Sequence, residues 1–311
     1  MWSYVIKRVF GAIPTVFAVV TLCFIMLQLA PGGPFDGEKK IAPEVLANLE
    51  AKYHLNEPLH VQFGYYINNL LHGDLGASFR YADWSVNQLV AQALPKSAAI
   101  GGSALLIAVV LGITLGVIAA LRQNSIADYF VMFLGNFGHA VPSFVTGPIL
   151  ILFFALWMKV VPAGGWSYDD PNWSIFHFAI LPVALLTIVN VATLGRVMRG
   201  SLIEVMNSNF IRTAKAKGLP MRVIVMRHAL RPALLPVVTL LGPMAVSAIA
   251  QAVVTESIFS IPGLGRLLVT GAVNRDYTLV LGLVVLVAVF TVVFNLIVDI
   301  VYAMLDPRIR Y

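Results

Sequence analysis

Charged residues are scarce in this sequence: Asp, Glu, Lys and Arg together make up 12% of its 311 residues. A soluble domain carries about a quarter, so a water-soluble globular fold is excluded. Cysteine is nearly absent. The single thiol, Cys23, rules out an internal disulfide, and its place inside an apolar run reads as a packed core thiol. Catalytic signatures are missing too. No HExxH, no GxSxG, no paired intramembrane aspartates and no Cys/His cluster at ligand spacing occurs, so neither a metal site nor enzymatic chemistry is expected. The six histidines, His54, His60, His72, His139, His177 and His228, are scattered. Without a GxxxxGK[ST] loop the chain is not expected to bind ATP through a P-loop of its own, and no cofactor is expected on it. Repeats of 20 to 50 residues and low-complexity tracts are also lacking.

What fills the sequence is apolar: 59% hydrophobic residues and a mean hydropathy of +0.85. Crossing a hydrocarbon core roughly 30 Å thick takes about 20 such residues. Six runs qualify, at Val9–Leu29, Ala98–Ala120, Tyr129–Trp157, Ile175–Gly195, Ala233–Thr255 and Leu279–Met304. The fold expected is an all-α integral membrane protein with six transmembrane helices. The first run follows Lys7 and Arg8 as a signal peptide would, but its length and the absence of a small-x-small site predict a retained signal anchor. Basic flanks resist translocation. With the N-terminus inside, Lys7, Arg8, Arg122, Arg196, Arg199, the cluster from Arg212 to Arg231, Arg308 and Arg310 all fall on the cytoplasmic side, which predicts both termini there.

Two parts are expected: an anchor with its outer loop over 1–97, and a five-helix core over 98–311. In the loop, Val45, Leu49 and Tyr53 recur at helical spacing, Phe63, Ile67, Leu70 and Leu71 form a second stripe ending at Gly73, and Asp83 is a candidate cap for a third helix. Either a helical cap over the outer mouth or a docking surface for an extracytoplasmic partner fits this segment. Ionisable groups that could hold a coupling ion at mid-membrane are confined to Asp299 and Glu256, neither placed centrally, which weighs against an ion-coupled carrier.

One segment breaks the charge poverty. "FIRTAKAKGLPMRVIVMRHALRPALLP" holds Arg212, Lys215, Lys217, Arg222, Arg227 and Arg231 with no acid. Ser208 or Asn209 can cap a helix over Phe210–Lys217, Gly218 suits a left-handed terminating turn, and Pro220 blocks continuation. Leu202, Met206, Phe210 and Ala214 share one face. From Pro220 a second helix climbs into the fifth run. The resulting elbow, about 196–232, is either a basic collar on anionic lipid or an apolar knob ringed by basic residues for a cytoplasmic partner. Nothing in it addresses nucleic acid; membrane lipid is the other expected contact.

"TAKAKGLP" and "RHALRPALLP" resemble the coupling loop of ABC importer permeases. On Gly218 as anchor, Arg212, Thr213 and Ala214 occupy the positions of that family's EAA triplet, with only Ala214 matching, while His228 replaces the Ile and the Pro is displaced to Pro232. "ESIFSIPGLGRL", "NRDYTLV", "DPRIRY", "APGGPF", "EAKYHLNEPL" and "HGDLGASF" extend the resemblance over the whole chain, to the peptide-transport branch and within it to the B-type subunits that carry oligopeptides; dipeptide and nickel permeases share much of the pattern. The resemblance implies a type I importer permease in a bacterial inner membrane. It implies as partners a homologous second permease, two cytoplasmic ATPases that use ATP and Mg, and a periplasmic peptide-binding protein. It implies that Phe210, Ala214 and Gly218 are the mechanical contacts to an ATPase, with Arg212, Thr213, Lys215 and Lys217 aligning them. For the solute path the polar candidates are Asn136, His139, Asn190, Gln251 and Asn295, or these side chains make interhelical hydrogen bonds. Glu256, Arg275 and Asp276 are expected to form ionic contacts at an outer gate.

Overall fold

The computed structural model describes residues 2–29, 51, 54–81 and 83–305; the side chains of 2–9, 127, 134–137, 139, 299 and 302–305 lie outside that description. Ten helices follow among the described residues: α1 Trp2–Leu29, α2 Leu59–Leu71, α3 Val86–Leu121, α4 Ile126–Ala140, α5 Ser143–Trp157, α6 Ile175–Met206, α7 Asn209–Ala216, α8 Met221–Ile258, α9 Leu264–Val273 and α10 Tyr277–Leu305. The expected all-helical membrane fold is present. Five of the helices are long and apolar enough to cross a bilayer.

The third expected run is not one helix. Pro142, at φ −60° and ψ 145°, stands outside the helix that begins at Ser143, and α4 stops at Ala140. A proline disfavours helical geometry in the residue before it, so the Tyr129–Trp157 run bends at Val141 and Pro142. Its last part, Ile151–Trp157, is wound as a π-helix. The second run is longer than expected. Ser85 opens α3 with a capping box, its hydroxyl accepting from the Gln88 N–H at 3.2 Å while the Gln88 side chain accepts from the Ser85 N–H at 3.0 Å. The helix then runs through Pro95 without interruption. The expected cap at Asp83 is displaced two residues by this box, and Asp83 takes a left-handed φ of +63°. The loop stripe ending at Gly73 forms α2 as expected; the Val45, Leu49 and Tyr53 stripe lies outside the described residues.

Packing centres on α3 and α6. Ile100, Ala104, Ala108, Gly112, Gly116 and Ala120 recur every four residues along α3 and are all buried. Small side chains at this spacing let two backbones approach closely. A Cβ on Gly112 would lie 2.6 Å from the Leu194 Cβ, and one on Gly116 would lie 2.6 Å from the Met198 Cβ and 2.7 Å from the Gly195 carbonyl. Three apolar cores are strung along this contact. At the elbow end Met198, Leu202, Ile211, Ile224, Ala229 and Ala233 pack together; farther along, Ile100, Leu185, Phe259 and Ile261 do; at the far end Val86, Leu264, Leu279 and Leu283 join α3, α9 and α10. The anchor helix α1 is mostly exposed and receives α2 through Phe63, whose ring lies 5.1 Å from Phe24 and 6.1 Å from Phe17.

Gly116→Val places two methyl groups into the Met198 side chain and the Gly195 carbonyl. The expected cost is about 1–3 kcal/mol, read as a lower thermal midpoint in detergent, whereas Gly102→Ala, with nothing within 4 Å of its added Cβ, leaves stability equal or raised. Equal midpoints for Gly116→Val and the native chain contradict this packing.

Candidate functional site

The basic elbow is built by two chain reversals around the short helix α7. Ser208 precedes it in extended geometry, but its hydroxyl donates back to the Val205 carbonyl at 2.6 Å instead of capping α7. Termination is sharper. Gly218 adopts φ +74°, its N–H donates to the Lys215 carbonyl at 2.9 Å, and the Leu219 N–H reaches back to the Ala214 carbonyl at 3.4 Å. These are the paired bonds of a Schellman turn, and Leu219 packs into the apolar core as that motif's hydrophobic contact. Pro220 then starts α8, whose first turns are π-wound over Ile224–Ala229.

Burial sorts the α7 residues into two faces. Ile211 is 0% exposed and Ala214 7%, both docked on Leu202 and Ile224 of the chain's own core. Phe210 is half exposed, and so are Met221 and Met226 nearby on α8. Arg212, Thr213, Lys215 and Lys217 are exposed as well. Of the expected contacts, Ala214 is turned into the chain's own core, whereas Phe210 is exposed on the outer face. Ile211 was not a candidate from the sequence. Its signal was there, as the apolar residue three before Ala214 on the same helical face, masked by the Leu202–Phe210 stripe. Lys215 in the last turn complements the helix dipole.

Next to this core, α4 is tied to α6. The Arg199 guanidinium donates to both carboxylate oxygens of Asp128, one bond measuring 2.7 Å, and the Asn124 N–H donates to the same carboxylate at 3.0 Å. Asp128 is 2% exposed. Its bidentate bond to Arg199 holds the carboxyl below the usual carboxylate range, against the opposing effect of burial. In the sequence these two residues registered only as flanking charges.

Among the described residues, the expected ionic contacts between Glu256, Arg275 and Asp276 are not formed. Glu256, 1% exposed, accepts from the Ser97 hydroxyl at 2.5 Å and from the Gly265 and Arg266 N–H groups at 2.7 and 3.1 Å. It thereby caps α9, and Gly263 has no side chain because a Cβ there would meet the Glu256 carboxylate at 2.4 Å. Asp276, fully buried, accepts from the Leu279 N–H at 3.2 Å, the Phe79 N–H at 3.1 Å and the Ser78 hydroxyl, so it caps α10 and pins the outer loop. Arg275 occupies the left-handed turn that ends α9, at φ +58°. The two carboxylates serve different helix ends, and a backbone amide is a stronger draw for a buried carboxylate than a distant cation. Of the path candidates, Asn190 is buried and donates to the Leu186 carbonyl of its own helix at 2.8 Å. Gln251 is half-buried on α8. The Asn136 and His139 side chains lie outside the described residues.

Comparison with known proteins addresses the whole chain. The family model described as binding-protein-dependent transport system inner membrane component matches residues 112–311, and its N-terminal companion matches residues 1–98. The chain is 54% identical to the oligopeptide transport system permease protein of Haemophilus influenzae and 51% identical to that of Escherichia coli K12, each over 311 residues and the full length of both chains. To the dipeptide transport system permease of Bacillus subtilis it is 39% identical, over 100% of this chain and 98% of that one. Among solved structures, the MetNI methionine ABC transporter in an inward-facing conformation superposes with a TM-score of 0.54 at 15% identity, covering 70% of this chain and 97% of the other. That likeness concerns the fold.

A carboxyl with a lowered pKa contributes stability that is present above its unfolded value, about 4, and is lost as pH falls through the lower folded value. The gap in thermal midpoint between the native chain and Asp128→Asn should therefore stay constant from about pH 7 to 5 and close only below about pH 4. A gap that already closes near pH 6 contradicts the assigned pair.

Proposed function

Because the chain belongs to the binding-protein-dependent transport system inner membrane components, we propose that it is the membrane-spanning subunit through which an ATP-driven importer moves oligopeptides into the cell. The observation that carries this reading is identity above half, without gaps in coverage, to permeases named for oligopeptide transport, with dipeptide permeases more distant. The multi-pass helical structure and the elbow fit it.

On this reading the chain lies in a bacterial inner membrane with both termini cytoplasmic. It pairs with a homologous permease, receives peptide from a periplasmic binding protein, and is driven by two cytoplasmic ATPases. Hydrolysis and its Mg-bound ATP belong to those ATPases. This chain supplies the lever. Phe210, Met221 and Met226 are exposed apolar residues of the elbow that can serve as a knob, and Arg212, Lys215 and Lys217 are exposed basic residues of the same segment. Seated in a groove of an ATPase, the knob makes different contacts in the open and closed ATPase pair, which is the energetic requirement for driving a conformational change. Ile211 and Ala214 pass the motion inward, since they are packed against Leu202 and Met198 of α6. Closure of the ATPases then rocks the spans between outward-open and inward-open arrangements.

Isolation of the tagged chain in mild detergent should recover a second permease and Walker-motif ATPases, with hydrolysis stimulated by a peptide-loaded binding protein; recovery of the chain alone, with uptake abolished by loss of an ion gradient, removes the reading. Within the complex, Gly218→Val tests the lever. No atom lies within 4 Å of a Cβ at Gly218, so the cost is conformational, about 1–2 kcal/mol for a left-handed residue and more for a β-branched one. Assembly should persist while peptide uptake falls severalfold relative to ATP hydrolysed; native uptake per ATP would contradict the lever.

A further inference from the structure

Helix α4 meets α6 through contacts between small groups at two described points. A Cβ on Gly138 would lie 3.3 Å from the Ile188 carbonyl, 3.4 Å from the Ala192 Cβ and 3.5 Å from an Ile188 methyl, and one on Gly195 would lie 3.6 Å from the Val131 methyl. Such van der Waals contacts are not directional, and packed helices can shift on one another by small sliding motions. At the elbow end the contact changes character. Asp128, in the first turn of α4, is gripped by the Arg199 fork from α6 and by the Asn124 N–H from the turn after α3. A bidentate guanidinium–carboxylate pair fixes distance and angle together, which methyl contacts do not.

The position of Arg199 gives the pair its reach. It follows Met198 and precedes Leu202 by one helical turn, and both are buried in the core that holds Ile211 and Ala214 of α7. The end of α6, the elbow and Arg199 thus form one packed unit. Beyond the other end of α4 the chain breaks at Pro142 and resumes as α5, which meets α8 where a Cβ on Gly147 would lie 3.1 Å from Ile258. We propose that Asp128 and Arg199 are positioning residues forming a fixed pivot, through which displacement of the elbow tilts α4 and the broken α4–α5 span against α6. The proposal rests on the importer reading above and assigns the route of coupling inside this chain.

The test uses the whole transport complex in proteoliposomes, measuring peptide taken up per ATP hydrolysed. Arg199→Lys keeps the charge and loses the fork; Asp128→Asn keeps the shape and loses the charge. For either variant that assembles with native binding-protein stimulation of hydrolysis, uptake per ATP should fall severalfold, because a two-point contact that fixes distance and angle becomes a one-point contact. Assembled variants that keep the native ratio, including variants in which uptake and hydrolysis decline together, overturn the pivot. A second measurement leaves the native pair in place. In a Cys23→Ser background, spin labels at Gln123 and Gly200 report the pivot end, and labels at Ala140 and Ile188 report the far end of α4. On ATP binding the first spacing should stay fixed while the second shifts; a first spacing that moves as much as the second overturns the proposal even if both charge variants fail to assemble. Should the native complex import peptide without hydrolysing ATP, the importer reading fails and the pivot with it; a complex that does couple import to hydrolysis while the first spacing moves as much as the second overturns the pivot alone.

Discussion

The close approach of α3 and α6 is the constraint on which the remaining packing depends. In a membrane there is no hydrophobic drive to bring helices together, so association rests on dispersion contacts that fade within an ångström or two of separation. The stripe from Ala104 through Gly116 to Ala120 supplies contact at backbone range, and Leu194, Gly195 and Met198 fill the opposite side. Once these two helices are locked, α4 has a surface to lie on, α8 closes the elbow core from the other side, and α9 and α10 cover the far end of α3.

Away from that contact the fold is organised by helix ends. Three reversals share one device, a left-handed residue after the last turn with two backbone bonds closing behind it: Gly218 after α7, Ser260 after α8 and Arg275 after α9. At the second and third, the next helix is started by a buried carboxylate, Glu256 for α9 and Asp276 for α10. Each carboxylate also accepts a serine hydroxyl from a distant part of the chain, Ser97 or Ser78. Amide donors at a helix start together with a hydroxyl offset the cost of burying such a group. At the far end these polar atoms stitch helix ends together over an apolar core, while at the elbow end the apolar core carries the ion pair of buried Asp128 with Arg199 at its side.

Which parts of this were legible beforehand follows from the range of the interactions. Run lengths gave the helices, because crossing a bilayer is a local requirement; the bend at Val141 and Pro142 and the early start of α3 at Val86 departed from expectation and are set by single residues, Pro142 and Ser85, while α6 runs on past the expected Gly195 to Met206. Gly218 was readable because a turn ending needs a residue type that tolerates positive φ. Glu256 and Asp276 were misread as a gate because charge alone does not say which donors a carboxylate will find; those donors are backbone amides, invisible in composition. The Asp128–Arg199 pair joins positions 71 residues apart, and no spacing rule connects them.

The two faces of α7 bear on which protein sets its sequence. Ala214, the one position of the triplet that matches the general importer pattern, is the one turned into this chain's own core, whereas Arg212 and Thr213, which depart from the pattern, are turned outward. Selection on the inner face is internal to the polypeptide and acts in any context. The outer face is not held by that packing: side-chain changes at residues 210, 212 and 213 leave the apolar core around Ile211 and Ala214 intact, so the outer surface of this helix can vary without cost to the fold that carries it.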